Sequence, residues 1–246
     1  MKNLRLRLWN NVFTYDISLY ERYLLNRMED FSTLLLGDTG TGKGTAAGAI
    51  GRSGYIPYDR DKGLFRESFM SSFISINLSL YPESLIESEL FGHKKGAFTG
   101  AIQDRNGLLR AADKGMLFLD EVGELGLDEQ SMLLRAIEEK KFLPLGSDEE
   151  AASDFQLICG TNRDLHNIVA KGCFREDLLC RINLWTFHMP GLAERPEDIE
   201  PNLKYELDRF AERNNIHVTF NKEAWKQFLQ KSFCRFQGEK TESQRF

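Results

Sequence analysis

The sequence predicts an α/β domain with a mainly parallel five-stranded sheet, followed by a small helical subdomain. Three observations carry this. Short apolar or β-branched runs alternate with helix-like segments, the pattern of strands buried on both faces between crossover helices. A glycine loop lies between the first such run and the first helical segment, where a phosphate loop belongs. After Pro190 the chain changes character: Pro196, Pro201 and a charged stretch lead into residues with only helical periodicity.

The expected strands are Phe31–Leu36, Phe73–Asn77, Met116–Leu119, Phe155–Gly160 and Leu184–His188. Each is a contiguous run too short for a helix of ordinary length. The expected helices are Thr45–Ile50, Pro82–Leu90 and Leu127–Lys140, the last with Leu133, Leu134 and Ile137 on one face. Beyond the sheet, Leu203, Leu207, Phe210 and Ala211 recur at helical spacing over Asn202–Asn214. Asn221 is placed to cap a further helix, Lys222–Lys231. The organisation read from this is a lead-in over residues 1–30, an α/β subdomain over 31–195 and a helical lid over 196–246. The tail from Gly238 to Phe246 is poor in apolar residues and is expected to fray. The stretch Ile50–Phe73 receives no role.

The chain has 246 residues, 41% of them hydrophobic and 28% charged, which excludes collagen, coiled coil and wholesale disorder. A net charge of −5 argues against a chain that binds polyanions over its whole surface. The cysteines Cys159, Cys173, Cys180 and Cys234 form no C-x-x-C pair and read as reduced thiols of a cytosolic protein. The histidines His93, His166, His188 and His217 have no metal-ligand spacing. No apolar run approaches the length of a membrane span, and Lys2, Arg5 and Arg7 interrupt the apolar core that a signal peptide needs.

Five places carry chemistry. In Gly37-Asp38-Thr39-Gly40-Thr41-Gly42-Lys43, glycines let several backbone N–H groups face one anion, and the following helix adds its positive end. Lys43 is set for the β- and γ-phosphates; Gly44 occupies the usual Ser/Thr position, and Thr45 follows one residue later. Second, Asp120 and Glu121 end a buried apolar run, where unpaired charge is costly. Adjacent strand residues face opposite ways, so Asp120 fits Mg²⁺ and Glu121 fits a base for an attacking water. Third, Asn77 and Asn162 end two other strands; alone they read as turn residues. Fourth, Gly96-Ala97-Phe98-Thr99-Gly100-Ala101 places an aromatic ring between glycines, either buried under a tight loop or exposed to meet a partner. Fifth, Arg175 and Arg181 offer permanent charge to phosphoryl oxygens, or read as ordinary surface ion pairs.

Together these stretches resemble the sigma-54 interaction domain, the AAA+ ATPase domain of bacterial enhancer-binding proteins, from about Met28 to about Ile199. The resemblance rests on Ser88-Glu89-Leu90-Phe91-Gly92-His93, Lys95-Gly96-Ala97-Phe98-Thr99-Gly100-Ala101, Leu117-Phe118-Leu119-Asp120-Glu121-Val122-Gly123-Glu124-Leu125, Gly160-Thr161-Asn162-Arg163-Asp164-Leu165 and Phe174-Arg175-Glu176-Asp177-Leu178. It implies a three-layer αβα P-loop NTPase fold, ATP and Mg²⁺ as ligands, and a hexameric ring in the bacterial cytoplasm. It implies that Phe98 and Thr99 tip a loop that engages sigma-54 RNA polymerase. It implies that Asn77 couples the nucleotide to that loop through Glu121, and that Asn162 senses the γ-phosphate. Arg175 and Arg181 match the arginine-finger region, which reaches a neighbouring subunit's nucleotide.

The sequence departs from the family's pattern at Gly44 and in the lid. No Gly-Asn-x-Arg-Glu-Leu segment is present, and Arg235 lacks the matching context. No helix-turn-helix is expected, so direct DNA contact is not. A truncated product, an excised fragment and a naturally minimal member all fit this reading. Two functional classes follow: an ATPase that remodels sigma-54 polymerase, and a nucleotide-binding module that binds sigma-54 or joins relatives' rings without useful turnover. Another kind of AAA+ remodeller, which would not depend on Phe98, is a third.

Overall fold

A computed structural model describes residues 32–53, 58–59, 63–65, 73–216, 221, 223–224 and 227. The expected lead-in, most of the expected helix Lys222–Lys231 and the tail lie outside them, although Asn221 Oδ1 does accept the Ala224 N–H at 2.7 Å. Two compact units divide the chain, one reaching to Met189 and one starting at Pro190.

The strands are β1 (Thr33–Leu36), β2 (Tyr58–Asp59), β3 (Leu64–Phe65), β4 (Phe73–Asn77), β5 (Gly92–His93), β6 (Arg105–Asn106), β7 (Met116–Asp120), β8 (Lys141–Phe142), β9 (Ala151–Ala152), β10 (Gln156–Thr161) and β11 (Trp185–His188). The helices are α1 (Lys43–Ser53), α2 (Glu83–Phe91), α3 (Leu108–Ala111), α4 (Leu127–Glu139), α5 (Leu165–Ala170), α6 (Glu176–Ile182) and α7 (Ile199–Asn214). Five strands form one sheet in the order β11-β1-β10-β7-β4, and every pairing in it is parallel. All five match expected runs to within two residues at either end. The short strands pair as antiparallel hairpins, β2 with β3, β5 with β6 and β8 with β9.

Parallel strands covered on both faces are apolar on both. In β10, at the centre of the sheet, all six residues are buried. On one face, Leu34, Ile76, Leu117, Leu119 and Leu157 pack with Ile86, Leu90 and Phe91 of α2, Leu133, Ala136 and Ile137 of α4, and Leu178 and Ile182 of α6. Cys159 belongs to the same cluster, and its burial pushes the thiol far above the ordinary range. On the other face α1 packs on β1, β7 and β10 through Ala46, Ala47 and Ile50. This makes three layers, helix on sheet on helix. Because all five strands run the same way, their carboxyl ends meet along one edge, where ligands bind in such sheets. Among the described residues, no helix is long and apolar enough to cross a membrane.

The second unit contains α7, preceded by the 3-10 turns Leu192–Glu194 and Pro196–Asp198. Helix α7 begins three residues before the expected Asn202 and ends at the expected Asn214, where Asn215 takes a left-handed conformation as its cap.

Candidate nucleotide site and partner loop

The loop after β1 is fixed first by backbone. Gly37 donates its N–H to the Thr161 carbonyl at 3.1 Å, tying the loop to the end of β10. Thr41 turns back on Asp38 through both its N–H and its hydroxyl, at 3.2 and 2.8 Å. Gly40 and Gly42 have φ of 84° and 94°, values that glycine adopts without strain, so the chain turns directly into α1. Asp38, Thr39 and Gly40 are exposed at the rim.

Lys43, the first residue of α1, is 5% exposed. Its Nζ donates to the Gly37 carbonyl at 2.9 Å and lies 3.2 Å from Glu121 Oε1. Deleting one partner of such a sequestered pair outright, with no acceptor left in its place, costs about 3–5 kcal/mol. The other Glu121 oxygen, Oε2, accepts the Asn162 N–H at 3.1 Å, and Asn162 Nδ2 reaches Thr39 Oγ1 at 3.4 Å. Two distant sequence regions, the phosphate loop and the end of β10, therefore converge on the Glu121 carboxylate.

The acid pair diverges for a reason other than strand alternation. Asp120 is the last strand residue, whereas Glu121 has φ 58° and ψ 49°, a left-handed conformation. That turn swings Glu121 toward Lys43 and leaves Asp120 at the strand end. The Asp120 oxygens accept the Asn77 Nδ2 at 3.4 Å and the Glu121 N–H at 3.2 Å. Burial raises the Asp120 carboxyl above the ordinary range, with Lys43 opposing the shift. The Asn77 amide thus meets Asp120, not Glu121 as expected. The strands explain it, since Asn77 and Asp120 are register partners in the β4–β7 pairing and Glu121 lies beyond its end. Asn77 Oδ1 accepts from Ser79 and caps the 3-10 turn Leu78–Leu80.

At Gly44, a side chain would meet nothing nearer than the Phe118 ring at 3.8 Å, so packing does not impose glycine there. Thr45 is exposed on α1. A cavity of about 500 Å³ opens beside Gly37 and Asn162, lined also by Leu36, Arg163 and His188. For Mg²⁺ the donor set fits: Asp120 offers hard carboxylate oxygens at the strand edge, and a cation there would offset the cost of its burial. Among the described residues no cluster of three or more metal-binding side chains occurs.

Arg175 and Arg181 bond neither to the phosphate loop nor to the acid pair. Arg175 caps α6 and pairs with Asp177 at 2.6 Å. Arg181 lies in the last turn of the same helix, and its Nε is shielded from solvent with no hydrogen-bond partner.

The Gly96–Ala101 loop connects β5 to β6. Its ends close through Gly96 N–H to the Ala101 carbonyl at 2.9 Å, and Ala101 N–H bonds the Phe98 carbonyl at 3.0 Å. Thr99 and Gly100 are exposed; Phe98 is 37% exposed and Ala101 is buried. The ring is thus neither sealed in the core nor free in solvent.

Two residues escape sequence reasoning. Gly160 allows the acid to fit: a Cβ there would stand 2.6 Å from Asp120 Oδ1. Gln130 is fully buried; its Nε2 donates to the Leu125 carbonyl at 2.7 Å and the Cys173 carbonyl at 3.2 Å. Its position three and four residues before Leu133 and Leu134 was the available signal.

The sheet, phosphate loop and acid pair define a P-loop α/β fold of the AAA+ type. The chain belongs to the family of the sigma-54 interaction domain, whose model matches residues 18–188. It is 54% identical over 196 residues to the transcriptional regulatory protein RtcR of Escherichia coli K12, covering 80% of this chain and 35% of that protein. It is 41% identical over 218 residues to GlrR of the same organism, covering 88% and 46%. Against a Nif-specific regulatory protein of Azospirillum brasilense it is 40% identical over 193 residues, covering 78% and 29%. The chain therefore spans less than half the length of each of these relatives. Among solved structures, NtrX from Brucella abortus superposes with a TM-score of 0.64 at 25% identity, covering 86% of this chain and 45% of that one. NtrX in complex with ATP gives 0.61 at 26%, covering 81% and 43%.

Proposed function

We propose that this chain binds and hydrolyses ATP and uses the cycle to remodel sigma-54 RNA polymerase. The convergence of Lys43, Glu121 and Asn162 carries the reading. The N–H groups of residues 37–45 receive the phosphates, with Lys43 on the β- and γ-oxygens. Asp120 would hold Mg²⁺, which would supply positive charge against the phosphate oxygens. Glu121, its oxygens placed by Lys43 and Asn162, accepts a proton as water attacks the γ-phosphorus and the bond to the bridging oxygen breaks. Asn162, bonded to both Glu121 and Thr39, registers whether the γ-phosphate is present.

Arg175 and Arg181 act on a neighbouring subunit's nucleotide. Both lie in the stretch that resembles the family's arginine-finger region, which supports an action in trans, and a heterologous contact of that kind closes a ring, a hexamer in this family. The loop Gly96–Ala101 grips sigma-54 with Phe98 and Thr99 and moves as the γ-phosphate is lost.

ATP turnover against protein concentration tests this. Turnover per chain should rise steeply as rings form, and Glu121→Gln should abolish it while sparing nucleotide binding. Background turnover at all concentrations, or full activity in Glu121→Gln, overturns the reading.

A further inference from the structure

None of these roles uses the side chains at the base of the Gly96–Ala101 loop. His93, the last residue of β5, has its ring buried. Its Nδ1 lies 2.7 Å from Ser88 Oγ on α2, a residue that is itself buried. The His93 ring also meets Phe98: the centroids are 4.9 Å apart with the planes at 66°, an edge-to-face contact. The backbone beneath is fastened on both sides. Lys94 N–H bonds the Leu145 carbonyl at 2.9 Å, and Leu145 N–H bonds the Gly92 carbonyl at 3.0 Å. Asp104 accepts the Lys95 N–H at 2.8 Å and pairs with Lys94 at 2.9 Å.

We propose that His93 is a positioning residue that holds the Phe98 ring in the orientation its partner meets, and that Ser88 in turn holds the His93 ring. This deepens the reading of Phe98 as the sigma-54 contact and rests on it. A glycine-flanked ring with no fixed neighbour must be ordered at the moment of binding, at a cost in affinity. The His93 ring supplies that order in advance while leaving 37% of Phe98 open. The Ser88 contact explains why the residue is histidine: a hydrocarbon ring would stack as well but strand a buried hydroxyl. Helix α2 begins six residues after Asn77, carries Ser88 and leads directly into β5.

The test places 4-fluorophenylalanine in place of Phe98 in the full chain and follows its ¹⁹F resonance. His93→Ala should move the resonance toward that of the free amino acid, and Ser88→Ala should move it part of the way. The double variant Ser88→Ala with His93→Phe, which keeps a ring edge and removes the stranded hydroxyl, should restore it. Affinity for purified sigma-54, read by fluorescence anisotropy, should fall roughly two- to tenfold in His93→Ala and recover in the double variant. An unmoved resonance in a folded His93→Ala protein overturns the proposal. Should that protein not fold, an unmoved resonance in Ser88→Ala does the same. A resonance that responds while sigma-54 binds every variant equally also overturns it. If the resonance responds but not even the unsubstituted chain binds sigma-54, the Ser88–His93–Phe98 array stands and the sigma-54 reading falls.

Discussion

The Arg175 backbone N–H donates to Gln130 Oε1 at 2.8 Å, so one fully buried glutamine fixes the start of α6 while its amide grips the Leu125 and Cys173 carbonyls. It joins the segment that follows Glu121 to the segment that carries both arginines. Gln130→Leu keeps the volume and strands one buried and two partly buried backbone groups. Each buried unsatisfied group costs about 1–3 kcal/mol, and relaxation recovers part of it, so a loss of about 3 kcal/mol is expected from urea unfolding. A loss under about 1 kcal/mol would show that water or another group replaces the amide.

Glu87 on α2 faces Asp128 and Glu129 at the start of α4. Burial raises its carboxyl above the usual 4.5, and the two neighbouring acids add to the shift. The folded state therefore binds a proton more readily than the unfolded one, and stability falls as pH climbs from 4.5 through the folded value. Glu87→Gln should raise Tm at pH 7, by about 2 °C for a domain of this size. The gain should vanish near pH 4, where the wild-type group is itself neutral. Melting curves at both values check this, and an equal gain at each would point to packing rather than charge.

Gly160→Ala would put a methyl group 2.6 Å from Asp120 Oδ1 and 3.2 Å from the Phe118 ring. The carboxylate must yield, because the strand backbone beneath it is held by neighbours on both sides. We expect a loss of about 1–3 kcal/mol in unfolding experiments, as for other overpacked sites. ATP turnover at saturating Mg²⁺ should fall at least tenfold. Wild-type turnover in this variant would show that Asp120 has room to move without consequence.

Much of the fold is legible in the sequence because parallel strands are apolar on both faces. Runs such as Phe155–Gly160 stand out without alternation, and the structure buries every residue of β10. The phosphate loop is legible for a related reason: glycine spacing and a following lysine describe a backbone shape as much as a composition. The two-residue strands β5 and β6 are too short to show any period, so neither is expected from the sequence. The left-handed turn at Glu121 leaves no mark either, since an Asp-Glu pair reads the same whether or not the second residue leaves the strand. That is why the partner of Asn77 is Asp120. Register, not residue type, decides which acid an amide meets. Gln130 lay in view on an apolar helix face, but a polar letter there looks like surface until its three partners are placed.

The sealing of Cys159 inside the sheet has a practical side. Its thiol is desolvated and held protonated, so a maleimide dye will not find it in the folded chain. Cys173 and Cys180 are exposed, one two residues before Arg175 and the other next to Arg181. Cys173 thus precedes both arginines and Cys180 lies between them, so fluorophores attached there, with the central strand silent, would report by energy transfer between labelled copies whether α6 meets a second copy.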